Sequence, residues 1–230
     1  MTEETARLGR RSILSRLGLG VAALGAGLGA ARAQAQTGAR FQPAQHPQDA
    51  WFDQLRGTHR FVLDSTSPEG GGGALAFANN FFEANKSGYN LDPPSLAVVI
   101  VLRHFSTPFG YTDAIWSKYS PQIFELIKFN DPKTMQPAKA NLYNSAAYGF
   151  DLPNFGTTID SLVGKGVNFA VCDMATHFFA GYISDKTKAP ADAVYRELTS
   201  SLIPNAHLVP AGIVAVNRAQ EHGYTFAYSA

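Results

Sequence analysis

The sequence contains one cysteine, Cys172, at a position suited to sulfur chemistry. Residues Gly166 to Cys172 form a short apolar run of the β type, and Asp173 to Gly181 have the pattern of a helix start. A thiolate at a helix N-terminus is stabilised by unpaired backbone N–H groups and by the helix dipole, although the carboxylate of Asp173 opposes a second negative charge. Two interpretations remain open. Cys172 is either a nucleophile or sulfur carrier in a pocket, or a small apolar residue buried at a strand end.

Two basic residues follow the other strongly apolar segment of the chain. Arg103 and His104 come directly after Leu96 to Leu102, an unbroken and largely β-branched run typical of a buried strand. Because parallel strands end at the same edge of a sheet, we expect His104 near Cys172, where it accepts the thiol proton or stabilises the thiolate. An ordinary surface histidine is the alternative. Arg103 is a candidate for binding an anionic sulfur compound, and His177 is a weaker second base.

Four consecutive glycines, Gly70, Gly71, Gly72 and Gly73, follow the first predicted strand. Their backbone N–H groups could approach an anionic ligand near the cysteine. The run lacks the Gly-Lys-Ser/Thr of a P-loop and the spacing of the dinucleotide-binding glycine motif, so a flexible turn is the favoured interpretation. The sequence also has no Cys-x-x-Cys-His haem site and no multi-histidine cluster, and we therefore predict neither a cofactor nor a metal.

The elements that must position these residues alternate between strands and helices. Helical patterns separate five predicted strands, which are His59 to Ser65, Leu96 to Leu102, Val167 to Cys172, Ala206 to Val209 and Tyr224 to Tyr228. This alternation predicts an α/β domain with about five mainly parallel strands and helices on both faces of the sheet.

An aromatic loop interrupts this regular alternation. The loop, residues 130–155, carries Tyr143, Tyr148, Phe150 and Phe155. A segment of this length suggests a lid over a pocket or a subunit contact. Packing on its own domain is the alternative.

The first 36 residues are typical of a twin-arginine export signal. The pair Arg10-Arg11 precedes a weakly hydrophobic stretch from Leu17 to about Ala31, and small-x-small cleavage sites follow. That stretch is shorter than the roughly 20 residues of a membrane span. We therefore expect a periplasmic or secreted protein without a membrane segment after cleavage. Residues 37–57 are predicted as a linker with a short helix, and residues 58–230 as the α/β domain.

The charge balance of the mature chain bears on its partners. Without residues 1–36 the chain has 194 residues, 14 basic and 16 acidic side chains, and a net charge of −2. No basic patch remains that would favour nucleic acid as a partner.

Three segments in the last third of the chain carry a family resemblance. They are Gly166-Val-Asn-Phe-Ala-Val-Cys172, Leu208-Val-Pro-Ala-Gly212 and Gln220-Glu-His-Gly223-Tyr224. A strand ending in cysteine, a helix start with Val-Pro-x-Gly and a finish with Gln-x-x-Gly-Tyr resemble the DsrE/DsrF-like family of small sulfur-metabolism proteins. The resemblance implies a Rossmann-like three-layer α/β/α subunit, frequent assembly into trimers or hexamers and, in some members, persulfide transfer on the cysteine matching Cys172. The export signal and a long loop before the cysteine strand depart from the family pattern.

Two functional hypotheses follow. The first is an exported DsrE-like protein that binds or relays sulfur through Cys172 with the help of His104. Its partner would be a small sulfur-containing anion or a sulfur-carrier protein, and the protein would form a homo-oligomer. The second is a non-catalytic binding or assembly module that keeps this fold and uses the tyrosine-rich loop for a partner.

Overall fold

The computed structural model describes residues 42–230, and the folded unit spans Pro43–Ala230. The export signal predicted for residues 1–36 lies outside the described residues. The central sheet has five parallel strands in the order β6-β5-β2-β1-β7. The strands are β1 His59–Ser65, β2 Leu96–Leu102, β5 Asn168–Cys172, β6 Ala206–Val209 and β7 Thr225–Ser229, and β3 Asn130–Asp131 and β4 Gln136–Pro137 form a separate antiparallel pair.

Helices cover both faces of this sheet. They are α1 Trp51–Gln54, α2 Pro68–Tyr89, α3 Asp113–Ile127, α4 Ile159–Gly164, α5 Asp173–Thr187, α6 Ala191–Ser200 and α7 Gly212–Glu221. The chain crosses the sheet in one direction from β1 to β6 and then returns to β7 beside β1. Connections running in one direction place their helices on one face, and a reversal places the next helix on the other. Helices α2 to α6 accordingly pack on the first face, while α7 and α1 pack on the second.

The alternation of side chains along the strands divides the core into two clusters. Leu63, Ile100 and Phe169 belong to the first-face cluster, whereas Val62 and Val99 belong to the second. All seven residues of β2 are buried, because this strand lies in the middle of the sheet with both faces covered.

The predicted fold class is confirmed: the protein is a three-layer, Rossmann-like α/β domain with a parallel sheet. The bounds of β1, β2 and β6 agree with the sequence prediction, and those of β5 and β7 differ by one residue at one or both ends. The short helix predicted within residues 37–57 is present as α1, and its Phe52 is fully buried in the second-face cluster. No helix in the described part of the chain is long and apolar enough to span a membrane.

The loop of residues 130–155 packs mainly on its own domain. Tyr143 is buried, its hydroxyl donates to the Pro68 carbonyl at 2.6 Å, and its ring stacks on Phe109 with centroids 4.3 Å apart. Phe150 and Phe155 contact each other and remain largely exposed. Domain packing therefore explains Tyr143, and the two exposed phenylalanines are the only strongly exposed aromatic residues of this loop.

Candidate functional site

A cavity of about 430 Å³ lies at the carboxyl edge of the sheet, where β2, β5 and β6 end. The residues that line it come from the segment after β2, from the start of α5 and from the start of α7. They are Arg103, His104, Phe105, Cys172, Met174, Ala175, Phe178, Ala211, Gly212 and Ile213. The topology thus brings Cys172, His104 and Arg103 to one cavity, as expected from parallel strands that share an edge.

Cys172 is the last residue of β5 and the N-cap of α5. The backbone N–H of Ala175 donates to its Sγ at 3.4 Å, and the hydroxyl of Thr176 donates to its carbonyl oxygen at 2.9 Å. The thiol is free, and only 6% of the residue is exposed. Cys172 is therefore a mostly buried residue that lines the cavity, and an N–H group of the helix N-terminus contacts its sulfur.

Arg103 forms a two-point ion pair with Asp64. Its Nε and Nη2 donate to Oδ1 and Oδ2 of Asp64, both at 2.8 Å, and the Asp64 residue is only 2% exposed. The hydrogen bonds to Asp64 raise the pKa of Arg103, and the nearby Cys172 adds a smaller electrostatic contribution in the same direction. The charge of the guanidinium is thus largely compensated within the protein, although its Nη1 remains outside this pair.

Gly212 fits closely against the arginine stem. A Cβ atom built on Gly212 would lie 2.5 Å from Cβ of Arg103, well inside van der Waals contact. The absence of a side chain at the first position of α7 therefore allows Arg103 to reach Asp64 along this helix.

His104 lies at the mouth of the cavity in a left-handed backbone conformation. Its φ is +54°, it is exposed, and no hydrogen bond to its ring occurs within residues 42–230. Such a conformation costs roughly 1 kcal/mol for a residue with a Cβ atom. The buried hydroxyl of Ser106 supports the turn, because it accepts from the Arg103 backbone N–H and lies 2.9 Å from the carbonyl oxygen of Ser65. This hydrogen-bond network holds His104 at the cavity mouth.

The rim of the cavity is strongly apolar. Four large side chains are more than two-fifths exposed around it: Phe105, Met174, Phe178 and Ile213. Exposed apolar groups that gather around one concavity mark a binding surface more often than singly scattered ones do. Phe178 and Phe179 differ in this respect, since Phe179 is buried in the core and Phe178 lines the cavity.

His177 does not line the cavity. Its Nε2 lies 3.8 Å from Oδ2 of Asp173, and its ring stacks on Tyr195 with centroids 4.0 Å apart. The hydroxyl of Tyr195 also donates to Asp173 at 2.8 Å. Five positions along a helix turn a side chain well away from the starting face, which is why His177 is separated from the cavity that Cys172 lines.

Gly70, Gly71, Gly72 and Gly73 lie within the first turns of α2, so the prediction of a flexible turn is wrong. Ser67 caps this helix, its hydroxyl accepting from the Gly70 N–H at 2.9 Å. A Cβ on Gly70 would lie 2.4 Å from the Ser229 carbonyl oxygen, and one on Gly72 would lie 2.6 Å from Pro153. The four glycines are absent from the lining of the cavity, and close packing of α2 accounts for Gly70 and Gly72.

Asp64 and the apolar rim are the parts of the site that sequence reasoning missed. Asp64 directly follows the apolar run Phe61 to Leu63 in β1, and this acidic residue was the available signal. A charged residue at the carboxyl end of a buried strand needs a partner, and Arg103 after the neighbouring strand was a candidate.

No group of His, Cys, Asp and Glu side chains suited to a metal ion occurs among residues 42–230. The chain matches no protein-family model, no curated protein and no solved structure.

Proposed function

We propose that this protein is an exported, DsrE-like sulfur-binding or sulfur-relay protein in which Cys172 carries a persulfide. The observation that supports the proposal best is the position of the Cys172 thiol in the wall of a 430 Å³ cavity, at the N-terminus of α5. A thiol at this position adjoins the cavity and has an N–H donor for its anionic form. His104 lines the same cavity and is the proposed acceptor of the thiol proton.

The proposed step is sulfur transfer without net oxidation. The Cys172 thiolate attacks the terminal sulfane sulfur of a donor, and a new S–S bond forms. The S–S bond within the donor breaks, and its electron pair leaves with the remainder of the donor. An acceptor thiolate that attacks the outer sulfur of the resulting persulfide would complete the relay and regenerate Cys172.

Mass spectrometry of the native protein after incubation with polysulfide, and separately with an alkyl persulfide, tests this proposal. We expect a gain of one sulfur atom that is lost in the Cys172→Ser variant. His104→Asn, which suits a left-handed backbone, should slow the gain by roughly 100-fold if the histidine acts as a base. His177→Asn is the matched control, since it changes an exposed histidine outside the cavity and should leave the rate unchanged. A wild-type chain that gains no sulfur would contradict the proposal.

The second candidate is a non-catalytic binding or assembly module. The exposed apolar rim of Phe105, Met174, Phe178 and Ile213 favours this function, because such a surface also suits a protein partner or a second copy of the chain. Light scattering distinguishes the assembly that the family resemblance implies, a trimer or hexamer, from a monomer. An unmodified Cys172 in a stable oligomer would favour this second function over sulfur relay.

A further inference from the structure

The lining of the cavity at Cys172 indicates what kind of sulfur compound fits there. We infer that its ligand is an organic sulfur compound with an apolar body, such as an alkyl or aryl persulfide or thiol, and not an inorganic sulfur oxyanion. The inference rests on the proposed function for the reacting sulfur atom. The apolar selectivity rests on the cavity itself.

The first argument is the chemical character of the wall. Phe105, Phe178 and Ile213 present large apolar groups, and Met174 adds a polarisable thioether. Ala175 and Ala211 contribute only methyl groups. Apolar side chains gain free energy by burial against an apolar ligand body, at about 25 cal/mol per Å² removed from water. They offer nothing to replace the hydration of an oxyanion.

The second argument is charge. Arg103 is the one permanently charged residue of the lining, and its guanidinium is bound at two points by the buried Asp64. The pair is close to neutral, so a dianion entering the cavity would lose its water without meeting a net positive charge. The Nη1 group of Arg103 is free of this pair and suits a single polar contact, such as the sulfur end of an otherwise apolar molecule.

The third argument is size. A volume of about 430 Å³ lies within the range of roughly 300–1,000 Å³ that is typical of sites for organic ligands. A small oxyanion would fill a minor part of that space and would leave the aromatic rim in contact with water. An organic body would occupy more of that space and would cover part of Phe178 and Phe105.

The transfer chemistry balances for such a donor. The Cys172 thiolate attacks the outer sulfur of an organic persulfide R–S–S–H, and the donor S–S bond breaks with its electron pair on R–S⁻. The products are the Cys172 persulfide and the organic thiolate, so no external oxidant or reductant is needed. The departing thiolate keeps the apolar body in the cavity until it takes up a proton and dissociates.

Calorimetric titration of the full-length Cys172→Ser variant tests the ligand class without requiring sulfur transfer. Serine retains an N-cap acceptor for α5, so the variant should fold. We expect n-butanethiol, n-pentanethiol and n-hexanethiol to bind, with Kd falling about three- to fourfold for each added methylene. Thiosulfate should give no binding heat. Binding of thiosulfate in preference to the thiols, or thiol affinities that do not change with chain length, would overturn the inference.

A matched pair of phenylalanines shows whether the thiols occupy this cavity. Phe178 lines it and is 54% exposed, whereas Phe77 on α2 is 51% exposed and lies outside it. In the Cys172→Ser background, Phe178→Ser should weaken hexanethiol binding by roughly tenfold, and Phe77→Ser should leave it unchanged. Equal effects of the two variants would refute the assignment to this cavity. If circular dichroism shows that the Phe178→Ser variant is unfolded, the Ile213→Ser variant is used in its place.

The two proposals fail separately. If the wild-type chain gains no sulfur from either polysulfide or an alkyl persulfide, but the serine variant binds the thiols with the expected chain-length dependence, sulfur relay is refuted and the apolar ligand site stands. If sulfur is gained but only thiosulfate binds, relay stands and the present inference is refuted.

Discussion

The ion pair between Arg103 and Asp64 should behave as a buried pair whose disruption strongly destabilises the domain. Asp64 lies on β1 with only 3% of its side chain exposed, and both of its oxygens accept hydrogen bonds from Arg103 at 2.8 Å. Arg103→Met keeps the aliphatic stem that packs against Gly212 but removes the guanidinium. The carboxylate is then left buried without its partner, and loss of one member of a buried pair typically costs about 3–5 kcal/mol.

Urea unfolding followed by circular dichroism measures this effect at neutral pH. Adding Asp64→Asn to Arg103→Met removes the uncompensated charge, so the double variant should recover stability and give a coupling energy of roughly 2–3 kcal/mol. The exposed pair Lys86–Asp92 has a similar N–O distance of 2.8 Å, with side chains 53% and 68% exposed. Lys86→Met should therefore cost less than about 1 kcal/mol. A cost below that value for Arg103→Met, or additive effects in the double variant, would refute the account of this site.

Three further predictions concern glycine packing, pH dependence and a buried hydroxyl. Gly212→Ala should destabilise the domain by about 1–3 kcal/mol, because the new Cβ would lie 2.5 Å from Cβ of Arg103. Gly181→Ala is the control: this glycine has open space around it in α5, so the substitution should stabilise the domain by up to about 1 kcal/mol in the same urea assay. The hydrogen bond from His222 lowers the pKa of Asp53. The stabilising effect of Asp53, measured as the wild-type unfolding midpoint minus that of Asp53→Asn, should therefore be complete above pH about 4 and disappear as the pH falls through the lowered pKa; a difference that grows with acid would contradict this. Tyr143→Phe removes the 2.6 Å hydrogen bond to a helix carbonyl and should cost about 0.5–1.5 kcal/mol in thermal or urea unfolding, while Tyr89→Phe, at an exposed position, should cost nothing measurable.

The strands and the shared edge of the sheet were predictable because they depend on local pattern and on simple topology. Leu96–Leu102 is largely β-branched and wholly apolar, and it forms the central strand with the predicted bounds. Cys172 ends one strand and His104 follows another. Because the strands are parallel, both residues must lie at the same edge of the sheet. The predicted site residues that meet in the cavity are therefore those at strand ends.

Features that depend on tertiary contacts were not predictable from the same patterns. Glycine disfavours helices by about 1 kcal/mol, so Gly70–Gly73 suggested a turn, although Ser67 and Pro68 before them are typical helix-start residues. Close approach of Ser229 and Pro153 favours glycine there, and neither neighbour is close in sequence. The apolar rim likewise combines residues from three separate segments, and only the folded chain brings them together.

The burial of Phe52 has a consequence for any shortened form of this protein. On the second face of the sheet, both α7 and the segment that contains α1 cover the strands. Phe52 in α1 is fully buried, and its carbonyl oxygen accepts a 2.8 Å hydrogen bond from the Tyr224 hydroxyl. Trp51 stacks on His207. A chain trimmed to begin at the first strand would remove Phe52 from the apolar cluster that includes Val62 and Val99, and would leave the Tyr224 hydroxyl without this acceptor. The residues that precede the first strand are therefore part of the hydrophobic core. A processing event that removed them would produce an aggregation-prone domain instead of a smaller functional one.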